Sequence, residues 1–242
     1  MPDPIVVDLS HWNPTPDWNR LVAGGIVGVI HKATESTSYV DPLLFERAKG
    51  AMAAGLCWST YHFLRPGSMA KQMQHYLGTI NPVPGERVCL DHEDKGVSLD
   101  DLCEAVNILA ADPRKLQITI YSGHVIKEQL GNDYNSVLAS KTSLWVAQYA
   151  SAPSWPKKTW VAWSLWQYTD RANVEGISAP VDGNRWNGDE ASLRQWFGPA
   201  GAIVPETPVE PEPEARVANV QITTSPGVEV FVTVNGDRWS KA

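Results

Sequence analysis

Residues 87–94, Arg87-Val88-Cys89-Leu90-Asp91-His92-Glu93-Asp94, decide how this chain is read. A short apolar run of strand character ends abruptly in acids. In a strand, side chains at i and i+2 share a face. Asp91 and Glu93 therefore point one way, with Cβ atoms roughly 6–7 Å apart, and His92 points the other. Two carboxyls held together repel as anions, which raises one pKa and leaves a proton donor beside a fixed charge. Glycosidic bond cleavage uses such a pair. A solvated acidic loop after a strand is the competing use of the same residues.

Working outward from that stretch, Ser98 is placed to cap a helical pattern over 99–111, and 118–122 reads as the next strand. The same alternation runs upstream. Strand-like runs occupy 5–10, 27–34 and 56–63. A helical pattern over 41–54 carries Leu44, Ala48, Ala51 and Met52 and stops at Gly55, and another covers 69–78. A shorter helix is expected at 125–130. Strand runs at 144–149, 164–169 and 181–186 then follow too closely for full helices between them. Alternating strand and helix predicts a parallel sheet. Eight strands predict an α/β chain closed into an irregular, TIM-like barrel whose last third is poor in helix. Ser10-His11-Trp12-Asn13 after the first strand is no Gly-rich turn, which counts against an open nucleotide-binding sheet.

Barrels of this kind gather their sites at the C-terminal ends of the strands. Those ends carry Asp8 and Ser10; Lys32, Thr34 and Glu35; Tyr61 and Phe63; Asp91 and Glu93; Tyr121; Trp145 and Tyr149; Gln167; and Asp182 and Asn184. Polar and aromatic groups at the ends of strands with apolar middles mark a site. Asp8, Asp91, Glu93 and Asp182 carry most of the chemistry, and Asp8 meets Asp182 if the first and last strands close the barrel. Lys32, the cation of this set, is expected to pair with one of those four acids and lower its pKa. His31, His62 and His92 fall at the other parity and are expected to face the helices. No metal or cofactor is expected, an oxygen-only Mg²⁺ or Ca²⁺ site being the rival use of the acids. There is no G-x-S-x-G elbow for serine chemistry.

A net charge of −7 argues against a nucleic-acid partner and against electrostatic capture by an anionic cell wall or membrane. No run approaches the ~18 apolar residues of a membrane span, and Met1-Pro2-Asp3-Pro4-Ile5 lacks the basic-then-apolar pattern of a signal peptide. The expectation is a protein made in the cytoplasm that acts after release. Cys57, Cys89 and Cys103 are odd in number, without a C-x-x-C pair, and read as buried free thiols. The eleven Trp residues suit either sugar stacking or a core. Proline alternates with acid over 205–214, the composition of a stiff, solvated linker. It sets a body at 1–199 and a linker at 200–215 apart from a tail at 216–242. In the tail, alternating stretches at 217–223 and 228–234 flank Ser225-Pro226-Gly227 and read as a β-hairpin.

Several pieces, in order over about residues 5–197, resemble one family: Val7-Asp8-Leu9-Ser10, His31-Lys32-Ala33-Thr34-Glu35, Tyr61-His62-Phe63, Leu90-Asp91-His92-Glu93, Ile120-Tyr121-Ser122, Leu144-Trp145-Val146-Ala147-Gln148-Tyr149, Trp166-Gln167-Tyr168-Thr169 and Val181-Asp182-Gly183-Asn184. The chain resembles the glycoside hydrolase family 25 lysozymes, N-acetylmuramidases of phage endolysins and bacterial autolysins. Ser59 and the Asn13-Pro14-Thr15-Pro16 loop depart from the family pattern without touching the acids. The resemblance implies a (β/α)5(β)3 barrel. It also implies bacterial peptidoglycan as substrate, cut at the β-1,4 bond between N-acetylmuramic acid and N-acetylglucosamine. It makes Glu93 the general acid/base. Asp8 and Asp182 would hold the sugar and tune the pair, and Tyr61, Tyr121 and Trp145 would line the −1 subsite, with Lys32, Phe63, Tyr149 and Gln167 in support. Carboxyls about 5–5.5 Å apart serve a direct nucleophile and about 6.5–9.5 Å an inverting water. A D-x-E pair falls between, so the expected route is attack by the substrate's own acetamido oxygen, oriented by Asp91, with retention. A phage-type lysin would leave the cell through a separate membrane pore, a holin, or by another export route. The alternative is a wall-carbohydrate-binding barrel without catalysis.

Overall fold

The computed structural model describes residues 5–201, 231–234 and 237–240. The chain forms two units, Met1–Pro205 and Glu206–Ala242. The first unit runs β1 (Val6–Leu9), α1 (Trp18–Ala23), β2 (Gly28–Glu35), β3 (Tyr39–Val40), α2 (Leu44–Ala53), β4 (Cys57–Phe63), α3 (Met69–Ile80), β5 (Arg87–Asp91), α4 (Leu99–Ala110), β6 (Gln117–Ser122), α5 (His124–Leu130), α6 (Ser136–Lys141), β7 (Thr142–Ala147), β8 (Leu165–Ala172), β9 (Val181–Trp186) and α7 (Glu190–Phe197). Eight strands close a barrel in the order β1-β2-β4-β5-β6-β7-β8-β9, with β9 back on β1. β3 is a short antiparallel flap on β2. Five strand–helix units followed by three strands make the irregular barrel expected from the sequence.

One strand departs from the parallel expectation. β9 runs antiparallel to both β8 and β1. The residues after β8 turn back without a crossover helix, and a parallel return needs about a dozen residues or more. The mouth of the barrel therefore receives the start of β9, not its end. Asp182 reaches the mouth because its strand is reversed, and it lies directly opposite Asp8 in the β1–β9 register.

The period of two along each strand sorts the apolar residues into two cores. Val7, Val29, Trp58, Val88, Leu90, Ile118, Ile120 and Leu144 point outward into the layer under the helices. Val6, Ile30, Cys89, Tyr121, Trp145 and Leu165 point inward. α7 adds Leu193, Trp196 and Phe197 to the inner set and closes the bottom. Gly28 at the start of β2 permits this, since a Cβ there would lie 2.4 Å from the Phe197 ring. Arg87, buried at the same end, donates to Thr119 Oγ1 at 2.8 Å and stacks over Trp196 at 4.1 Å. α4 starts in a capping box between Ser98 and Asp101. The helices α1, α6 and α7 were not read from the sequence; the first two span six residues each, too short for a clear 3.6-residue period. All three cysteines are free, but only Cys89 is buried; Cys57 and Cys103 are half-buried, contrary to expectation.

In the second unit β10 (Phe231–Val234) pairs antiparallel with β11 (Asp237–Ser240). The expected strand at 217–223 and the linker at 202–215 lie outside the described residues. The strand expected at 228–234 is seen over Phe231–Val234, and its partner is the stretch that follows it in sequence.

Candidate active site

Inward positions at the mouth converge on one cleft of about 180 Å³, lined by Asp8, Ser10, Trp12, Lys32, Tyr61, Phe63, Asp91, Glu93, Tyr121, Trp145, Gln167 and Asp182. The Asp91–Glu93 segment is pinned by its backbone. Leu64 N–H donates to the Asp91 carbonyl, His92 N–H donates to Tyr121 O at 2.9 Å, and Ser122 Oγ donates to His92 O at 2.6 Å. His92 turns outward, with Nε2 2.7 Å from Gln129 Oε1 on α5. His31 and His62 also face the helices, against Arg47 on α2 and Gln72 on α3. Burial holds both near a pKa of about 4, so they stay neutral. The parity expected for the three histidines holds.

Asp8 is the most heavily supported acid. Gln167 Nε2 donates to both its oxygens at 3.2 and 3.1 Å, and Asn184 Nδ2 donates to Oδ2 at 2.8 Å. Gln167 in turn accepts from Tyr121 OH at 2.8 Å and Tyr149 OH at 3.0 Å. Trp145, 1% exposed, forms the floor, packs edge-on to Tyr121 and donates from Nε1 to Asn184 Oδ1 at 2.7 Å. Burial pushes the Asp8 carboxyl up to about 6, against the bonds from Asn184 and Gln167. Burial, and then the Asp8 charge, pushes Asp182 up to about 8. A proton shared across the Asp8–Asp182 pair follows.

Asp91 is 5% exposed, and its Oδ1 is buried without a hydrogen-bond partner. Burial and then the Glu93 charge lift its carboxyl well above the usual range, while Lys32 pulls it down. Glu93 stands at the rim, open on the cleft side. The protein around its carboxyl still raises its pKa by desolvation; His124 opposes the rise and Asp182 adds to it. Burial keeps Tyr61 and Tyr121 as neutral phenols. Asp182 thus keeps its proton near neutrality, and the upward direction at Glu93 is the one that a donor to a leaving oxygen requires.

Two expectations are corrected here. Lys32 bonds Glu35, at 2.5 Å, not one of the four cleft acids. Glu35 continues to Arg65 at 2.7 Å, and Arg65 to Asp94 at 3.0 Å. The cause is a bulge in β2 between Lys32 and Thr34. It restarts the alternation, so Glu35 joins Lys32 at the mouth, whereas Thr34, read as inward, bonds His62 in the helical layer at 2.7 Å. Tyr149 lines a separate, larger cleft of about 410 Å³ with Glu93, Tyr121, Gly123, His124, Lys127, Ala147 and Gln148. Glu93 and Tyr121 border both clefts. Sequence reading left out Trp12, which lies beyond β1 on an irregular loop, and His124 and Lys127, which lie on α5 beyond the end of β6; a period-of-two reading stops short of all three. Among the described residues no three His, Cys, Asp or Glu side chains converge as metal ligands.

Known proteins carry the same body. This chain is similar to lysozyme M1 of Streptomyces globisporus, 27% identical in an alignment 205 positions long that covers 77% of this chain and 69% of that protein. The crystal structure of a bacterial lysozyme from Streptomyces coelicolor matches with a TM-score of 0.69 and 26% identity, over 81% of this chain and 98% of its own. A muramidase from Trichobolus zukalii matches with a TM-score of 0.67 and 26% identity, over 81% of this chain and 99% of its own. The sequence model described as glycosyl hydrolases family 25 matches residues 7–177, a stretch that runs from the β1 acid Asp8 past Asp91 and Glu93 to the end of β8. With barrel and sequence in agreement, the chain belongs to family 25 of the glycosyl hydrolases.

Proposed function

We propose that this peptidoglycan hydrolase is an N-acetylmuramidase that cleaves with retention, using the acetamido group of its own substrate. The observation that carries the route is Asp91: an acid buried at the cleft floor, one oxygen without a partner, beside a rim acid that borders both clefts. N-acetylmuramic acid would lie in the acid cleft and the leaving N-acetylglucosamine in the Tyr149 cleft, with Glu93 at the bond between them. The acetamido N–H donates to Asp91, which favours the Asp91 anion. The acetamido oxygen attacks the anomeric carbon and forms an oxazolinium ring, while the Glu93 proton goes to the departing glycosidic oxygen. Water then adds at the same carbon from the vacated side and gives its proton to Glu93, which restores the acetamido group and the starting protonation. Two inversions leave net retention. Asp8 and Asp182, sharing a proton, hold the sugar's hydroxyls, and neutral Tyr61 and Tyr121 wall the ring.

Mass spectrometry of digested peptidoglycan tests the bond: reducing-end N-acetylmuramic acid is expected, and reducing-end N-acetylglucosamine would refute it. NMR of the first-formed anomer tests the route, with inversion as the refuting result. Binding of the wall without release of any fragment would instead support a carbohydrate-binding barrel.

A further inference from the structure

We infer that Trp12 is the stacking platform for an N-acetylhexosamine on the glycone side of the cleft, one sugar beyond the ring that faces Asp91. This inference rests on the muramidase reading above and adds a sugar contact that the chemistry at Asp91 and Glu93 does not use. Trp12 lines the acid cleft yet is 84% exposed, the most exposed aromatic side chain of the described residues. A large apolar ring left in water forgoes burial that its size would otherwise favour. Indole faces pack against the C–H faces of sugar rings, and the ring edge keeps a donor for a hydroxyl.

The loop that carries Trp12 is held in place on both sides. Buried Arg47 on α2 donates to Ser10 O and to Asn13 O, each at 2.7 Å, bracketing the tryptophan. Buried Asp41 accepts His11 N–H at 3.0 Å, and its Oδ2 lies 2.9 Å from His11 Nδ1. Ser10 N–H donates to Asn13 Oδ1 at 2.7 Å and Asn13 N–H returns to Ser10 O at 3.0 Å. The His11 ring backs the indole at 4.4 Å between centroids. A surface indole without a ligand needs no such anchorage; a preorganised one loses less freedom when a sugar stacks on it.

Position gives the sugar. In the barrel order, β1 and β6 are four strands apart, on opposite sides of the mouth. The cleft assigned to the leaving sugar lies over β5, β6 and β7. Trp12 follows β1, so a glycan crossing the mouth past Asp91 reaches Trp12 with its non-reducing, glycone part.

The test is steady-state hydrolysis of peptide-free glycan strands by the full chain and two variants. Trp12→Ala is expected to raise KM about ten-fold with kcat within about three-fold, and Trp12→Tyr, which keeps a flat ring, to stay within about three-fold in both. Thermal midpoints should match the wild type, because the indole is exposed. An unchanged KM in Trp12→Ala, a kcat loss equal to the KM rise, or a tyrosine variant no better than alanine would overturn the inference. Reducing ends from the wild-type digest report separately on the muramidase reading, before any variant is compared.

Discussion

Asp182→Asn is expected to stabilise this protein, and increasingly so as pH rises. Folding moves Asp8 to about 6 and Asp182 to about 8, from 3.8 for a free side chain. A carboxyl whose pKa is raised on folding contributes its stability below the unfolded value and loses it as pH climbs through the folded value. The pair is therefore neutral and harmless near pH 4, carries one charge above about 6, and is forced to carry two above about 8. For Asp182 the span from 3.8 to about 8 corresponds to an upper bound of roughly 6 kcal/mol, at about 1.4 kcal/mol per pKa unit. Asp182 is only part-buried, and solvent screening reduces the net to about 2–3 kcal/mol. In a domain of this size about 1 kcal/mol moves Tm by about 2–4 °C, so the variant should melt about 5–10 °C higher than the wild type near pH 9 and within about 2 °C of it near pH 4. Asparagine keeps a donor toward Asp8, so the bond across the β1–β9 pairing survives. Thermal unfolding followed by circular dichroism across that pH range is the assay. A gap that does not change with pH, or a variant less stable at high pH, would refute the claim that these two carboxyls repel.

Glu93→Gln should cost about 10²–10⁴ in kcat, with an unfolding midpoint equal to or above that of the wild type; near-normal turnover would move the acid elsewhere. The wild-type rate should fall as pH rises through the Glu93 pKa, because only the protonated acid donates. His124→Ala removes the electrostatic interaction that holds the Glu93 pKa down, so the alkaline limb should move to higher pH, and a downward shift in the pH–rate profile would contradict the assignment. Arg47→Met should destabilise by about 2–4 kcal/mol in denaturant melts, since it leaves the Ser10 and Asn13 carbonyls without their buried donor. A loss under about 1 kcal/mol would mean that the loop is held by other contacts.

Local chemistry made much of this protein readable before any coordinates. Most barrel strands are visible because a buried sheet writes apolar runs, and four of the helices because their stripes repeat over about two turns or more. The side chains of Asp8, Asp91, Glu93, Tyr121 and Gln167 were assignable to one face because parity is a property of the backbone, set by two residues of spacing. The same rule sent His31, His62 and His92 to the helices. The rule failed where the backbone broke its own period. At Lys32 and Thr34 the bulge in β2 moved Glu35 into the mouth and gave Lys32 a partner on its own strand. No residue type there announces a bulge.

Direction and distance belong to the folded chain. Nothing local to 181–186 says that β9 runs backward; the reversal comes from a connection too short to cross the barrel, and it alone brings Asp182 opposite Asp8. The raised acids follow from that meeting and from burial, both long-range quantities. Trp12 is one of eleven identical letters until Arg47, 35 positions away in sequence, clamps its loop at the edge of the cleft. The pattern along the chain thus settled the barrel strands and the longer helices, the face of most strand side chains, and the family. Closure of the barrel settled which of those faces meet, because contacts between distant strands depend on register and direction that no short stretch encodes.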